Sequence, residues 1–246
     1  MARFFVAKSD IQNQHAKITG EELRHLKRVL RLRPGDRVTL FDDAGCEHEA
    51  TIRHVGDDVA ELVLLSSAPA PRESPLDVAL AVALTKGDKL EWVVEKATEL
   101  GVKTMMPFVS RYSVPKLDGG RAAKRALRWR KIALNATKQC GRTRVPEIRD
   151  LVGFDELITQ PPAAVLRVLL REKEAGTSLS DLCAARDNPG SVLLVIGPEG
   201  GFSTEETNAA ARAGFETAGL GARILRAETA AIAAVAIVQS RWGDLG

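Results

Sequence analysis

The sequence predicts an α/β protein in which a small N-terminal β-barrel precedes a larger domain with a mostly parallel sheet. Short strand patterns separated by turns fill residues 37–65, which is typical of antiparallel β structure. From Leu76 onward apolar strands alternate with helices, which indicates a parallel sheet with both faces covered. The segment 66–75 holds three prolines and mostly small residues. We therefore predict a linker there, between domains 1–70 and 76–246.

The N-terminal part combines one helical pattern with several strand patterns. A strand-like run occupies residues 1–6, and residues 20–32 carry an apolar stripe at helical spacing. The turn Pro34-Gly35-Asp36 follows. Further strand patterns, each bounded by turns, lie at residues 37–41, 49–55 and 59–65. We expect these short strands to be antiparallel and to form the barrel.

The C-terminal part contains apolar strands and two distinctive helices. The strands are predicted within residues 76–84, 105–109, 164–170 and 192–196. A helix over residues 90–100 ends at Gly101, which suits the C′ position. The last helix, Thr229–Trp242, is rich in alanine and apolar on nearly every side. We expect this helix to be buried in the core or against a second subunit, with Ala234 and Val238 at the subunit interface.

Two glycine-containing loops mark the candidate site. The strand that ends at Ile196 runs into Gly197-Pro198-Glu199-Gly200-Gly201, and a capping box at Ser203–Glu206 then starts a helix. A strand, a glycine-rich loop and a helix N-terminus commonly hold a small ligand. The second loop contains Leu220-Gly221 and leads to Arg226-Ala227-Glu228-Thr229-Ala230. The sequence lacks the spacing of a P-loop or of a dinucleotide-binding loop.

The chain resembles the RsmE family, the 16S ribosomal RNA (uracil-N3)-methyltransferases of the SPOUT class. The resemblance is carried by Ile196-Gly197-Pro198-Glu199-Gly200-Gly201-Phe202-Ser203 and by Leu220-Gly221-Ala222-Arg223-Ile224-Leu225-Arg226-Ala227-Glu228-Thr229-Ala230. The string Lys96-Ala97-Thr98-Glu99-Leu100-Gly101-Val102 is also similar to the family's pattern. The resemblance extends over essentially the whole chain.

The resemblance implies a SPOUT-type C-terminal domain with a trefoil knot and a PUA-like, RNA-binding N-terminal domain. It also implies S-adenosylmethionine as methyl donor, a homodimer, and 16S rRNA within the small ribosomal subunit as partner. Periodicity alone indicates an α/β domain and gives no sign of a knot, because knots are rare exceptions among folds.

The donor site is expected at the two glycine loops. Bare backbone there can contact an adenine edge and ribose hydroxyls, and neighbouring leucine and isoleucine side chains can form apolar walls. The residues expected to bind S-adenosylmethionine are Leu84, Ile196, Gly197, Pro198, Glu199, Gly200, Gly201, Leu220, Gly221, Ile224, Leu225, Arg226 and Thr229.

Methylation of uracil at N3 requires loss of the N3 proton, because the neutral imide nitrogen is a poor nucleophile. A site can supply a base, or donors that stabilise negative charge on O2 and O4. Arg226 is the best candidate for such a hydrogen-bond donor, since its guanidinium is planar and always charged. Glu199 and Glu228 are alternatives as base or orienting group, and the base stays open. The residues expected to carry the reaction are Arg226, Glu199, Asn135, Gln139 and Arg142, of which the last three follow from the resemblance.

Basic residues are concentrated between Lys103 and Arg144, where Asp118 is the only acid among bases that include Lys116. Such an unbalanced run favours contact with a phosphate backbone over a solvated face of mixed charge. A second basic run lies near residues 24–37. The residues expected to bind RNA are Arg3, Arg24, Lys27, Arg28, Arg31, Arg111, Arg121, Lys124, Arg125 and Arg128.

Composition limits the remaining classes of protein. The 246 residues include 45% hydrophobic and 27% charged residues, and the net charge is +3, as in ordinary globular proteins. No apolar run is long enough to span a membrane, and we find no signal peptide. Three cysteines without metal-like spacing favour reduced thiols and a cytoplasmic location. The four histidines all lie in the first domain, and we predict no metal.

Two other functions remain open at this point. A SPOUT enzyme can act on transfer RNA or on ribose oxygens, but the N-terminal barrel and the run Arg226–Ala230 argue against this. A non-catalytic ribosome-assembly factor could retain the pocket as a relic, but the glycines of both loops are intact.

Overall fold

The chain forms two compact units in the computed structural model. The structure describes residues 1–113, 119–172 and 176–246, so that Lys116 and Asp118 lie outside the described residues. The first unit comprises Met1–Glu73 and Thr137–Val145, and the second comprises Ser74–Ala136 and Pro146–Gly246. The first stretch of the N-terminal unit thus ends within the predicted linker. The segment Thr137–Val145, which the sequence placed in the C-terminal domain, belongs to the first unit.

The N-terminal unit is built on a six-stranded sheet. Its strands are β1 (Ala2–Phe5), β2 (Ile11–Gln12), β3 (His15–Ile18), β4 (Arg37–Phe41), β5 (Cys46–Val55) and β6 (Ala60–Pro69). They lie in the order β1-β4-β5-β6-β3-β2, and every pair of neighbours is antiparallel except β1 and β4.

The three strands predicted at residues 37–65 are antiparallel neighbours, as expected. Strand β1 pairs with β4 in parallel, which the long connection between them allows and a short hairpin turn would not. One expectation for this sheet is wrong. The predicted linker begins inside β6, which continues to Pro69. A proline is tolerated at this end of the strand, since it lacks only the N–H that a central ladder position would need.

The helix predicted over residues 20–32 is shorter in the structure, and it changes from an α-helix to a π-helix along its length. The α-helix α1 covers Gly20–Arg24, and a π-helical turn follows over His25–Val29. The backbone N–H of Leu30 donates to the carbonyl of His25 at 3.1 Å. Because the wider turn shifts the helical register, Leu30 leaves the core and is 40% exposed.

Glu73 holds the segment Thr137–Val145 in the N-terminal unit. Its Oε2 accepts hydrogen bonds from Nε and Nη2 of Arg142 at 3.0 and 2.7 Å. Its Oε1 accepts from the backbone N–H groups of Thr143 and Arg144, both at 3.0 Å. The Arg142 side chain is 4% exposed, so its charge is compensated inside the unit.

Arg3 completes this buried network. Its guanidinium donates to Glu47 at 2.5 Å and to the carbonyl of Arg142 at 3.2 Å, and it lies 4.9 Å from the ring centroid of Phe41. The side chain of Arg3 is only 14% exposed. These contacts give Arg3 a structural role, so the structure does not favour the predicted RNA contact.

The C-terminal unit is a parallel sheet covered by helices, as the alternation of strands and helices predicts. Its strands are β7 (Asp77–Ala83), β8 (Thr104–Val109), β9 (Glu147–Ile148), β10 (Val152–Gly153), β11 (Leu166–Leu170), β12 (Ser191–Ile196) and β13 (Glu216–Ala218). Its helices are α2 (Lys89–Glu99), α3 (Gly119–Cys140), α4 (Phe154–Thr159), α5 (Leu179–Ala184), α6 (Thr204–Arg212) and α7 (Ala227–Trp242), and the last turn of α3 belongs to the N-terminal unit.

The strand order places the two candidate loops at the same edge of the sheet, on either side of β11. The order is β10-β8-β7-β12-β11-β13, with β9 beside β8, and all pairs are parallel. Strand β12 lies between β7 and β11 and is buried from Val192 to Ile196, which explains its continuous apolar run. In open parallel sheets, ligands bind beyond the carboxyl ends of the strands.

The last helix is covered on one side by its own chain. Ala234 and Val238 are fully buried in the single chain, so they are core positions and not, as expected, positions of a subunit interface. The polar Gln239 is also buried, and its amide is satisfied by Ser74 and by the carbonyl of Leu100, each at 2.7 Å. The opposite side of α7 carries small side chains that are half-buried or exposed.

Glu73→Ala should destabilise the N-terminal unit strongly, because it removes the carboxylate that compensates the buried charge of Arg142. Loss of one partner of a buried ion pair costs about 3 kcal/mol or more. Glu49→Ala, at an exposed position of β5, serves as the control and should change the unfolding free energy little. Urea denaturation followed by circular dichroism measures both. Equal midpoints for the two variants would show that Glu73 does not hold the segment.

Candidate active site

The first glycine loop is a tight turn held by its own backbone. After β12 ends at Ile196, the N–H of Gly201 donates to the carbonyl of Pro198 at 2.9 Å. Gly201 has φ +69°, a conformation that side chains disfavour. The predicted capping box is present: Ser203 accepts from the N–H of Glu206, and Glu206 accepts from the N–H of Ser203. The loop therefore leads directly into α6.

Aromatic side chains press against the glycines of this loop. A Cβ on Gly197 would lie 2.9 Å from the ring of Phe202, and a Cβ on Gly200 would lie 2.9 Å from Cβ of Tyr112. The ring of Phe202 stacks parallel to that of Phe108, with centroids 6.4 Å apart. Glycine is required at both positions because the backbone approaches these side chains too closely for any larger residue.

A cavity of about 360 Å³ opens beside the loop, at the carboxyl ends of β11, β12 and β13. It is lined by Leu170, Arg171, Glu172, Ile196, Gly197, Pro198, Glu199, Gly200, Gly201, Phe202, Leu220, Gly221, Arg223, Leu225, Ala227 and Ala230. Both predicted glycine loops therefore border one cavity. Its volume falls within the range of small-molecule sites.

The cavity includes residues that the sequence analysis missed. Arg171 and Glu172 follow the carboxyl end of β11, and Arg223 lies in the second glycine loop. The signal that points to Arg171 and Glu172 is their position after an apolar strand. A position after an apolar strand points to the site only when the strands that pair with it are known.

Four predicted donor-binding residues do not line this cavity. Leu84 is fully buried after β7, where its N–H donates to the carbonyl of Phe108 at 2.8 Å. Ile224 is 69% exposed, and Arg226 and Thr229 are exposed at the start of α7. Leu84 is therefore a core residue in the single chain. The other three lie on the surface next to the cavity wall formed by Leu225 and Ala227.

A cluster of charged residues lies behind the first glycine loop. Nζ of Lys89 donates to Oε1 of Glu199 at 2.8 Å and lies 3.9 Å from Oε2 of Glu228. This hydrogen bond raises the pKa of Lys89 against the opposing effects of desolvation and the charge of Arg226. Burial favours the neutral form of Glu199, but the hydrogen bonds from Lys89 and the loop backbone outweigh it and hold the pKa below its ordinary value.

Three predicted substrate residues, Asn135, Gln139 and Arg142, are not among the lining residues. Asn135 and Gln139 are exposed on α3, and Gln139 and Arg142 belong to the N-terminal unit. The pairing of Arg142 with Glu73 favours a structural role for its guanidinium. A contact of Asn135 or Gln139 with the substrate stays a prediction.

Several of the predicted RNA-binding residues are engaged by carboxylates. Arg128 pairs with Glu91 at 2.6 Å. Further ion pairs join Lys27 to Asp57 at 3.3 Å and Arg111 to Glu205 at 3.0 Å. Arg24 is exposed and lies 3.9 Å from the carboxylate of Glu21. Arg28, Arg31, Arg121 and Lys124 are also exposed, and Arg125 is half-buried. Fewer basic residues are therefore available to a phosphate backbone than the number of arginines and lysines in the sequence indicates.

Among residues 1–113, 119–172 and 176–246, no group of three or more histidine, cysteine, aspartate or glutamate side chains could hold a metal ion. Within the same ranges, no helix is both long and apolar enough to cross a membrane.

Comparison with known families defines the class of protein. A family profile described as an RNA methyltransferase domain matches residues 72–239. A second profile, described as an RNA methyltransferase PUA domain, matches residues 18–65. The predicted order, a PUA-like domain followed by a methyltransferase domain with a parallel sheet, is therefore confirmed.

Individual relatives specify the family. The ribosomal RNA small subunit methyltransferase E of Bacillus subtilis (strain 168) is 34% identical over 97% of this chain and 96% of the relative. The protein of the same name from Mycobacterium tuberculosis (strain CDC 1551 / Oshkosh) is 32% identical over 92% of this chain and 88% of the relative. The Neisseria gonorrhoeae protein of that name, crystallised with S-adenosyl methionine, shows 34% identity, a TM-score of 0.90 and 100% coverage of both chains. The chain belongs to the ribosomal RNA small subunit methyltransferase E family.

Proposed function

We propose that this protein transfers a methyl group from S-adenosylmethionine to N3 of a uridine in 16S rRNA of the small ribosomal subunit. The observation that carries the proposal is the cavity between two glycine loops at the carboxyl edge of the parallel sheet. The Neisseria gonorrhoeae relative of the same fold and family is bound to S-adenosyl methionine. A cytoplasmic location accords with such a substrate.

The cavity suits a nucleoside-containing donor. Its walls combine bare glycine backbone with apolar side chains such as Ile196, Leu220 and Leu225, which fits a flat base that needs both contact area and backbone hydrogen bonds. The carboxylates of Glu172 and Glu199 can accept hydrogen bonds from ribose hydroxyls or from an ammonium group. When bound, the donor supplies an electrophilic methyl group on a sulfonium.

The residues of the chain must then favour the deprotonated form of uracil. Arg226 precedes α7 next to the cavity, and its exposed guanidinium is available to the oxygens that gain charge as N3 loses its proton. Glu199 is bound by Lys89 and its pKa is lowered, so it is a weak base and better suited to orient a partner. Three candidates for the general base remain, and these are Glu228, a residue from another surface and a water molecule.

Basic residues on α3 support RNA binding. Lys124 is exposed and Arg125 is half-buried, and a cationic helix face attracts the phosphate backbone independently of sequence. The PUA domain, which carries Arg28 and Arg31 at exposed positions, adds a second basic surface. We assign RNA positioning to these residues and the chemistry to the vicinity of Arg226.

The proposal also includes a homodimer and a trefoil knot, both of which the family resemblance implies. The side of α7 away from its buried face carries Thr229, Ala233, Ala236 and Ser240 at helical spacing. Small side chains allow a second helix to approach closely. A symmetric contact through this side would place two copies of α7 together.

Donor binding should depend on Gly221, which lines the cavity with φ +95° and open space around it. Gly221→Val adds a branched side chain and backbone strain, so the affinity for S-adenosylmethionine should fall by more than about tenfold. Gly214→Val is the matched control: Gly214 has φ +83° and open space but does not line the cavity. Calorimetry on folded variants measures both. Equal donor affinities for the two variants would place the pocket elsewhere.

RNA positioning and chemistry should separate by mutation. Lys124→Glu with Arg125→Glu should weaken RNA binding and make its salt dependence shallower, because fewer counterions are released. Arg226→Ala should leave RNA affinity nearly unchanged and slow single-turnover methylation by about 10²–10³-fold, as for one oxyanion donor. The rates are compared with both ligands saturating. A saturated Arg226→Ala rate equal to wild type would make Arg226 a binding residue only.

The dimer should be sensitive to charge on the outer side of α7. Wild-type protein should sediment as a dimer at micromolar concentration, and Ala233→Glu should shift it to monomer because it would bury an unpaired carboxylate in the interface. Leu127→Glu, on α3 where Leu127 is 59% exposed, is the control and should stay dimeric. A monomeric wild type would contradict the proposed dimer.

A further inference from the structure

Lys89 connects two segments that form different walls of the cavity. It is the first residue of α2 and its side chain is 33% exposed. One partner, Glu199, lies in the first glycine loop, and the other, Glu228, is the second residue of α7. Neither Lys89 nor Glu228 is among the residues that line the cavity, whereas Glu199 is. The lysine therefore does not line the cavity itself and affects it through its contacts with Glu199 and Glu228.

Glu228 has a buried oxygen that the lysine charge compensates. The Glu228 side chain is 16% exposed, and its Oε2 is buried and has no hydrogen-bond partner among the described residues. Nζ of Lys89 lies 3.9 Å from this oxygen. A buried carboxylate oxygen without a nearby cation is strongly unfavourable. The first turn of α7 adds a weaker stabilisation, since its exposed N–H groups carry partial positive charge.

Glu199 is fixed by the same ammonium. The hydrogen bond of 2.8 Å is short and charge-assisted. This hydrogen bond raises the pKa of Lys89 and helps to lower that of Glu199, so it favours the ionised form of both groups. Glu199 is part of the tight turn that ends at Gly201, so holding its side chain also restrains the backbone of the loop.

We propose that Lys89 is a positioning residue of the donor site, which ties the first glycine loop to the start of α7 through Glu199 and Glu228. The inference rests on the proposed function, since it assigns this cavity to S-adenosylmethionine. The tie fixes the distance between Glu199 on one wall and Ala227 and Ala230 on another. Without Lys89, two carboxylates repel each other and both walls move more freely.

The test compares Lys89→Met with a closely matched control. Lys96 lies on the same helix, has the same 33% exposure and pairs with Glu95 and Glu99 at 2.8 and 2.9 Å, but neither of its partners lines the cavity. Lys89→Met should weaken S-adenosylmethionine binding about threefold to tenfold in calorimetry. Lys96→Met should bind like wild type, and Lys89→Arg should restore most of the affinity because it keeps the charge.

A second readout follows the walls without any ligand. In hydrogen exchange of the full chain, the amides of the first glycine loop and of the first turn of α7 should exchange faster in Lys89→Met than in Lys96→Met. Adding Glu228→Gln to Lys89→Met should recover thermal stability, since it removes the uncompensated buried charge, but should not recover donor affinity, because Glu199 remains unpaired.

The outcomes separate the two proposals. If wild-type protein fails to bind S-adenosylmethionine, the proposed function is overturned and this inference with it. If wild type binds the donor but Lys89→Met matches Lys96→Met in affinity and in exchange, only the inference is overturned. Faster exchange with unchanged donor affinity would make Lys89 a purely structural residue, which also contradicts the proposal.

Discussion

The site depends on the parallel pairing of β11 with both β12 and β13. Leu170 is in register with Ile196 on one side and with Ala218 on the other. The three strands therefore end at the same level, and their loops emerge at one edge of the sheet. In this arrangement, residues far apart in the chain, such as Glu172 and Gly221, line one cavity. The pairing brings separate loops together around one candidate binding site.

Local sequence patterns predict the parts of this arrangement that local physics determines. The glycines, the capping box after Ser203 and the apolar run of β12 each have a local cause, and the structure shows all three. The strand order has no local signature in the sequence, so the sequence alone does not predict that Arg171 and Glu172 line the cavity. The sequence likewise does not predict that the segment Thr137–Val145 belongs to the N-terminal unit. Its place there depends on hydrogen bonds to Glu73, an acid within the predicted linker.

Charge counts from sequence overestimate the basic surface because they omit distant acids. Arg128 is paired with Glu91, and Arg111 with Glu205. Such partly exposed pairs add little stability, but they lower the charge available to a phosphate backbone. Arg3 shows the extreme case, since it pairs with the carboxylate of Glu47 and only 14% of its side chain is exposed. An RNA footprint has to be drawn from bases that stay exposed, such as Lys124.

The exposure of Arg226 sets a requirement on how the chemistry can work. A guanidinium stabilises developing charge strongly only where water is excluded and the effective dielectric constant is low. In the single chain Arg226 is exposed, and its neighbour Ile224 is 69% exposed and gives the same surface an apolar part. If Arg226 stabilises charge on the uracil as proposed, the single chain supplies the cation but does not exclude water from it. Bound RNA or the second subunit of the proposed dimer would then have to exclude that water, so that the proposed reactive site would be complete only in the assembled complex.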